Sequence, residues 1–442
     1  MNVTITPKAL GGTIGAIASK SMAHRLLICA ALCPGPTTIR CATSSRDIEA
    51  TIECLEALGA EVERTGDCLE VTPLAGTPAS DNLRVGREGA VLDCGESGST
   101  LRFILPVVCA LGSHASLVGH GRLAERPLSP LYEELARSGA ELSPAGAFPL
   151  EVSGRLRAGR FELPGNVSSQ YISGLLLAAP LLGGPSEVRV TEPVESRPYV
   201  NLTISALSTF GVTVNETHEV VDGKPCTCFA VSPSTPYQSP GQVTVEGDWS
   251  NAAFWLAAGA LAGEVGVSDL DLASRQGDRS ILAALAKLGA RVTRAPGGAR
   301  VSPGSPAGTE LDVSDFPDLV PPLAAVAALA PGSTRLTNCG RLRLKESDRI
   351  ETVCGGLAAL GADIQSADDD IVINGQESLR GGTVDASGDH RIAMMAAIAA
   401  IRCEGAVTIC GAGCVQKSYP NFFRDYEALG GLVSESEGAH VL

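Results

Sequence analysis

Residues 55–63 read LEALGAEVE: a leucine-rich helical stretch, a break at Gly59, then a short β-like run through Val62. A glycine just after the last helical residue takes the left-handed backbone conformation that a Cβ resists, so it ends the helix and turns the chain into the strand. The passage recurs as LARSGAEL at Gly139, LSTFGVTV at Gly211, LAKLGARV at Gly289, LAALGADI at Gly361 and YEALGGLV at Gly430. The copies are spaced roughly 70–80 residues apart, far beyond the short periods of solenoids, so each belongs to a supersecondary unit larger than a helix pair.

A second marker precedes each glycine by roughly 40 residues. It is a small polar cluster opening a helix of small apolar residues. The six are SKSMAHRLLICAAL from Ser19, ESGSTLRFILPVVCAL from Glu96, SSQYISGLLLAAPLL from Ser168, DWSNAAFWLAAGALA from Asp248, PDLVPPLAAVAALA from Pro317 and GDHRIAMMAAIAAI from Gly388. Ser, Asp and Asn are good helix N-caps. The runs behind them are apolar on all sides, which marks buried helices, whereas stretches such as RDIEATIECLEAL are amphipathic. Each unit therefore reads strand, buried helix, strand, amphipathic helix, then one or two strands. One or two Leu-Gly helix ends are commonplace, but six in phase with a second marker are a repeat. Six units in 442 residues, too many for one core, imply an α/β chain of two domains with three units each.

Hydrophobic residues make up 44% of the chain and aromatics only 4%, so the core is built from Ala, Leu, Val and Ile. No stretch reaches the ~18–20 apolar residues of a membrane span. The opening MNVTITPKALGG lacks the basic-then-apolar pattern of a secretion signal, so a cytoplasmic location is expected. The 14 cysteines form no CxxC pair, which argues against zinc, and small buried apolar roles are expected for them. A net charge of −15 excludes nucleic acid and acidic membranes as partners. Anionic ligands would then need locally concentrated positive charge, and helix N-termini directed at one cleft supply it.

The polar clusters carry that charge. Lys20, Ser21 and Arg25 open a helix that goes on as LLICAAL, so these cations need an anionic partner. Gly95 and Gly98 lie in DCGESGST, followed by Arg102; the loop suits an anion nest but lacks the Gly-Lys-Ser/Thr of a P-loop. Arg122 and Arg126 follow in GRLAERP, and arginine grips carboxylates and phosphates bidentately. Ser168, Ser169 and Gln170 offer two hydroxyls and an amide at a helix start, and Ser196, Arg197 and Tyr199 lie in SRPYVN. Asp318, in FPDLVPP, is either an N-cap or a base. RLRLKESDRIE holds Arg341, Arg343, Lys345, Glu346, Asp348 and Arg349; alone, it would read as a solvated helix start. Asp389, His390 and Arg391 follow in SGDHRIAMM, then Lys417 in VQKSYPNF; a lone His390 is more often structural than catalytic.

Taken together, the lysine-serine start, SSQ, KESDR, GDHR and the late Lys-Ser-x-Pro, in this order from Lys20 to Lys417, resemble the 5-enolpyruvylshikimate-3-phosphate synthase family. The resemblance implies the enolpyruvyl transferase fold, an inside-out α/β barrel of two similar domains, each with three βαβαββ repeats. It implies chain crossings near residues 18–20 and 245–248. One domain is then 1–19 with 246–442, the other 20–245, and the active site lies in the cleft between them. It implies transfer of the enolpyruvyl group of phosphoenolpyruvate to the 5-hydroxyl of shikimate 3-phosphate, with no metal or organic cofactor, and a monomeric enzyme.

By the same resemblance shikimate 3-phosphate falls to Lys20, Ser21, Arg25, Ser168, Ser169, Gln170, Ser196, Tyr199, Asp318 and Lys345. Phosphoenolpyruvate falls to Lys20, Gly98, Arg126, Gln170, Arg349, Arg391 and Lys417. Asp318 matches the proton acceptor for the 5-hydroxyl, and Glu346 the carboxylate that protonates and deprotonates the methylene carbon, with Lys20 assisting. Glu96 and Arg341 stand where many members have Asn and are left out of the site; the Glu96 side chain is expected to turn away from the anion. Inhibition by glyphosate in competition with phosphoenolpyruvate is expected. The sister family that uses a uridine-diphosphate amino sugar usually carries a reactive Cys, or occasionally Asp, in the loop that here reads SHASLVGHGRLAERP, which holds no Cys. A third family of the same fold class acts on RNA ends, against which the negative charge argues. A non-catalytic binding module would have lost Asp318 and Glu346, and both are present.

Overall fold

A computed structural model describes residues 1–74 and 89–436. Two compact units divide the chain, one of Met1–Ser19 with Glu246–Leu442 and the other of Lys20–Val245. Twelve α-helices occur among the described residues. Those of the second unit are α1 (Lys20–Leu32), α2 (Arg46–Leu58), α3 (Gly98–Leu111), α4 (Leu131–Arg137), α5 (Ser169–Ala178) and α6 (Arg197–Thr209). Those of the first are α7 (Trp249–Leu261), α8 (Ile281–Lys287), α9 (Val320–Ala327), α10 (Arg349–Ala359), α11 (His390–Ala399) and α12 (Phe422–Ala428).

The odd-numbered helices are the apolar ones. From Met22 to Leu32 every residue of α1 is buried. On α2, Ile48, Ile52, Leu55 and Leu58 are buried while Glu53 and Glu56 face out, the pattern of a helix with one wet side. Helices α1, α3 and α5 pack on one another inside their unit, as α7, α9 and α11 do in theirs. The tightest of these approaches has a local cause. Pro106 has no N–H, so the carbonyl of Arg102 one turn earlier loses its helical donor. Gly174 of α5 fits against that carbonyl, and a Cβ there would lie 2.2 Å from the oxygen.

Among the described residues, six separate four-stranded sheets cover these helices, and none closes into a barrel. All share one strand order, a parallel pair, then a strand antiparallel to it, then an antiparallel edge strand; in four of them the buried helix links the parallel pair, and in five the last two strands form a hairpin. Glu310–Asp312 runs parallel to Gly332–Thr337, which pairs antiparallel with Asp370–Gly375, which pairs with Asp363–Ala367. This is the βαβαββ unit with helices inside and sheets outside. Two sheets borrow a strand from a distant part of the sequence. Gly12–Gly15 pairs parallel with Val265–Ser268, Gly12 opposite Val265, and Gln242–Thr244 pairs parallel with Thr37–Arg40. The N-terminal strand Asn2–Thr6 closes the sixth unit between Val407–Cys410 and Leu432–Ser436.

The six glycines that end the amphipathic helices all have positive φ, from 78° at Gly211 to 111° at Gly139. In the first unit Trp255 stacks on Phe422 with ring centroids 4.7 Å apart. All cysteines are free and most are buried. No described helix is long and apolar enough to cross a membrane.

Candidate active site

Each unit gathers its polar residues where the buried helices begin. Ser97, Ser168, Asp248 and Asp389 cap α3, α5, α7 and α11 by accepting a backbone N–H in the first turn. Helix α9 begins without such a cap and is preceded by the 3₁₀ turn Pro317–Leu319 that carries Asp318.

In the second unit, Lys20 Nζ donates to Asp47 Oδ2 of α2 at 2.8 Å. Arg25 is buried. Its Nε donates to Thr203 Oγ1 at 2.7 Å, Nη1 to the Ser21 carbonyl at 2.5 Å, and Nη2 to the Tyr199 carbonyl at 3.0 Å and Ser173 Oγ at 3.4 Å. The guanidinium lies over the Phe103 ring at 4.8 Å. Every one of these partners is neutral, so the positive charge is held in place without being cancelled. Burial lowers its pKa to about 10 against smaller upward pulls from Tyr199 and Cys29, which leaves it protonated at neutral pH. Ser196 precedes α6 in the left-handed region, φ 52°, and is buried. A non-glycine residue held there is strained, a condition that clusters at functional sites.

Gly98 is the first residue of α3, and two guanidinium groups converge on it. A Cβ at this position would lie 2.5 Å from Arg102 Nη1 and 2.7 Å from Arg126 Cζ. Arg102 Nη1 donates to Gln170 Oε1 at 2.9 Å, and Gln170 Nε2 donates to Ser99 Oγ at 3.0 Å, so Gln170 is drawn to the same spot. Arg126 Nε is buried and finds no acceptor among the described residues. Two cations, a helix N-terminus and an orphaned donor together make an anion site. Glu96 is exposed, and its carboxylate lies beside Gly121.

In the first unit, Arg349 is the hub, 1% exposed. Nη1 donates to Asp318 Oδ1 at 2.7 Å, Nη2 to Glu346 Oε2 at 2.6 Å and Nε to Asp389 Oδ2 at 2.7 Å. Lys345 Nζ lies 3.2 Å from Asp318 Oδ1. Arg391 Nη2 lies 3.3 Å from Asp318 Oδ2 and donates to Ser250 Oγ at 2.7 Å. Lys417 Nζ donates to the Gly388 carbonyl at 2.7 Å, at the turn before α11. Burial pushes the Asp318 carboxyl up, but Arg391, Lys345 and Arg349 outweigh it and hold the group well below the usual carboxylate range. Burial lowers the Lys345 ammonium, with Asp318 opposing and Arg349 adding to the shift. Burial also lowers Arg349, yet Asp389, Glu346 and Asp318 more than reverse it.

The site residues expected from sequence thus fall into two sets. Lys20, Ser21, Arg25, Gly98, Arg126, Ser168, Ser169, Gln170, Ser196 and Tyr199 lie in the second unit, and Asp318, Lys345, Glu346, Arg349, Arg391 and Lys417 in the first. Arg102 and Asp389, which the sequence reading quoted but did not assign, hold Gln170 and Arg349 respectively. Their motifs, the arginine four residues after Gly98 and the GDHR run, were the available signal. Among the described residues, Glu187, Glu219 and Cys228 lie close enough together for a metal ion. Arg189 Nη2 already pairs with Glu219 there at 2.6 Å.

The family model for EPSP synthase (3-phosphoshikimate 1-carboxyvinyltransferase) matches residues 5–426. A 3-phosphoshikimate 1-carboxyvinyltransferase of Clostridium kluyveri is 39% identical over 434 residues, covering 98% of each chain. One of Clostridium acetobutylicum is 40% identical over 441 residues, again 98% of each. The solved EPSP synthase of Acinetobacter baumannii superposes with a TM-score of 0.77 at 25% identity, over 98% of this chain and 100% of its own. A family match over nearly the whole length, relatives near 40% identity and the same fold leave one assignment: the chain belongs to the EPSP synthase (3-phosphoshikimate 1-carboxyvinyltransferase) family.

Proposed function

We propose that the chain transfers the enolpyruvyl group of phosphoenolpyruvate to the 5-hydroxyl of shikimate 3-phosphate, releasing phosphate, in the shikimate route to chorismate and the aromatic amino acids. The observation that carries this reading is the hub itself: one buried guanidinium, Arg349, bound to the two carboxylates that the chemistry needs, Asp318 and Glu346. The reaction adds the hydroxyl oxygen to C2 of phosphoenolpyruvate while C3 takes a proton. The C2–O bond to phosphate then breaks as C3 gives a proton back. A base for the hydroxyl, an acid–base group at C3, and cations for two phosphates and a carboxylate are required.

Asp318 is the base and Glu346 the group that protonates and deprotonates C3, with Lys20 assisting. Lys20, Ser21, Arg25, Ser168, Ser169, Gln170, Ser196, Tyr199 and Lys345 bind shikimate 3-phosphate with Asp318. Phosphoenolpyruvate is bound by Lys20, Gly98, Arg126, Gln170, Arg349, Arg391 and Lys417. Both sets serve one pair of substrates. Three cations around Asp318 make it a weak base as it stands. An incoming phosphoenolpyruvate competes for Arg349 and Arg391, which loosens their hold on Asp318 and raises its proton affinity as the acceptor hydroxyl arrives. Binding energy thereby prepares the base. The enzyme works in the cytoplasm as a monomer.

Phosphate release from the purified protein tests the reading. With phosphoenolpyruvate present, release that depends on shikimate 3-phosphate and not on a uridine-diphosphate amino sugar is expected. Release only with the nucleotide sugar would move the chain to the sister activity, and no release with either would leave a binding module.

A further inference from the structure

His24 lies one helical turn beyond Lys20 on α1, and Thr51 one turn beyond Asp47 on α2. The two helices are therefore joined by two rungs. Lys20 Nζ meets Asp47 Oδ2 at 2.8 Å, and His24 Nδ1 meets Thr51 Oγ1 at 2.7 Å. The second rung does not stop at α2. Thr51 Oγ1 lies 2.7 Å from Thr100 Oγ1, and Thr100 Oγ1 donates to Ser97 Oγ at 2.8 Å. Ser97 Oγ also accepts the Thr100 N–H at 3.2 Å and so caps α3, whose first residue is Gly98. Exposure is 0% for His24, Thr51 and Thr100 and 1% for Ser97.

Proton counting gives this chain a direction. Thr100 spends its single hydroxyl proton on Ser97, with the Asp47 carbonyl 3.4 Å away, so it accepts from Thr51. Thr51 has then used its own proton and must accept from His24, which requires the Nδ1–H tautomer. The far side of the ring agrees. His24 Nε2 is buried with no partner among the described residues, and an N–H there would be an orphaned donor costing about 1–3 kcal/mol. Burial, with Lys20 and Arg25 adding to it, keeps the ring neutral.

We propose that the one-way chain His24–Thr51–Thr100–Ser97 is a positioning network that fixes the Gly98 end of α3 relative to the Lys20 ammonium, and so sets the geometry of phosphoenolpyruvate binding. It rests on the reading of Lys20 and Gly98 as phosphoenolpyruvate contacts. None of the four side chains touches substrate. His24 and Thr51 act through the helices they join, and Thr100 and Ser97 through the cap of α3. The shared lattice explains why a buried polar chain, costly to leave unsatisfied, runs through an otherwise apolar helix contact.

Two measurements test it. In ¹⁵N-histidine-labelled full-length protein, long-range ¹H–¹⁵N spectra are expected to show His24 in the Nδ1–H form; an Nε2–H form would overturn the direction of the chain and with it the proposal. In steady-state assays Thr51→Val is expected to raise KM for phosphoenolpyruvate tenfold or more, with kcat and KM for shikimate 3-phosphate within twofold, and Thr51→Ser is expected to restore it. An unchanged KM in Thr51→Val, or an equal loss in every parameter, would overturn it, the latter because a merely structural role predicts that pattern. Wild-type turnover in the same assay tests the enzymatic reading alone: no turnover removes that reading and the proposal together, whereas an active wild type beside an unshifted Thr51→Val removes only the network.

Discussion

Arg349 holds Asp318 and Glu346 on the two arms of one guanidinium, Nη1 to Asp318 Oδ1 at 2.7 Å and Nη2 to Glu346 Oε2 at 2.6 Å. Two carboxylates are thus fixed at a common distance from one planar cation. Its third nitrogen is committed to Asp389, which is fully buried and caps α11. The position of the two carboxylates is therefore set by the start of another helix, and planarity of the fork transmits it.

Replacing Asp318 by Asn keeps the shape and removes the proposed base. The expected result is a fall in kcat of about 10²–10⁴-fold. Because the substitution also frees Lys345, Arg349 and Arg391 from a competing anion, KM for phosphoenolpyruvate is expected to hold or drop. Phosphate release at saturating substrates measures both; a kcat within tenfold of wild type would take the base role away from Asp318.

Arg349→Met tests the hub as structure. The methionine fills much of the same volume but leaves Asp389, at 0% exposure, without its cation. Removing one partner of a buried pair costs about 3–5 kcal/mol, since the remaining charge stays desolvated. A urea titration is expected to show the first unit unfolding at a lower midpoint; an unmoved midpoint would mean that the hub contributes nothing to the fold.

Acid stability follows from the same cations. The folded-state pKa of Asp318 is depressed, so its ionised form favours folding. That contribution is complete above the unfolded value of about 3.9 and is lost as the pH falls below it toward the folded value. Between pH 5 and 3 the melting temperature of the wild type should fall more steeply than that of Asp318→Asn. Parallel curves for the two proteins would contradict the assignment.

The helix-ending glycines were legible because their signal is local: Gly59, Gly139, Gly211, Gly289, Gly361 and Gly430 need only their own positive φ, and all have it. The alternation of apolar and amphipathic helices was legible for the same reason, since burial of α1 and half-burial of α2 are written in their residue spacing. Partners far apart in sequence were not. Nothing in residues 12–15 says that they pair with Val265–Ser268, because a short strand accepts many neighbours. Arg102 and Asp389 were visible as residue types, but what they grip, Gln170 and Arg349, is decided by how separate helices meet.

Gly98 gives the last test. A Cβ there would lie 2.5 Å from Arg102 Nη1 and 2.7 Å from Arg126 Cζ. Both contacts are the ends of flexible side chains, so Gly98→Ala is expected to fold by pushing the two guanidinium groups outward. The added methyl group then occupies the side of the helix start where the anion is proposed to bind. Glyphosate, a phosphonate that competes with phosphoenolpyruvate in this family, is expected to inhibit the wild type competitively. In Gly98→Ala its inhibition constant is expected to rise at least tenfold, with a smaller rise in KM for phosphoenolpyruvate, while KM for shikimate 3-phosphate stays within twofold. Inhibition curves for wild type that stay flat into the millimolar range, or that coincide with those of the variant, would remove Gly98 from the phosphoenolpyruvate site.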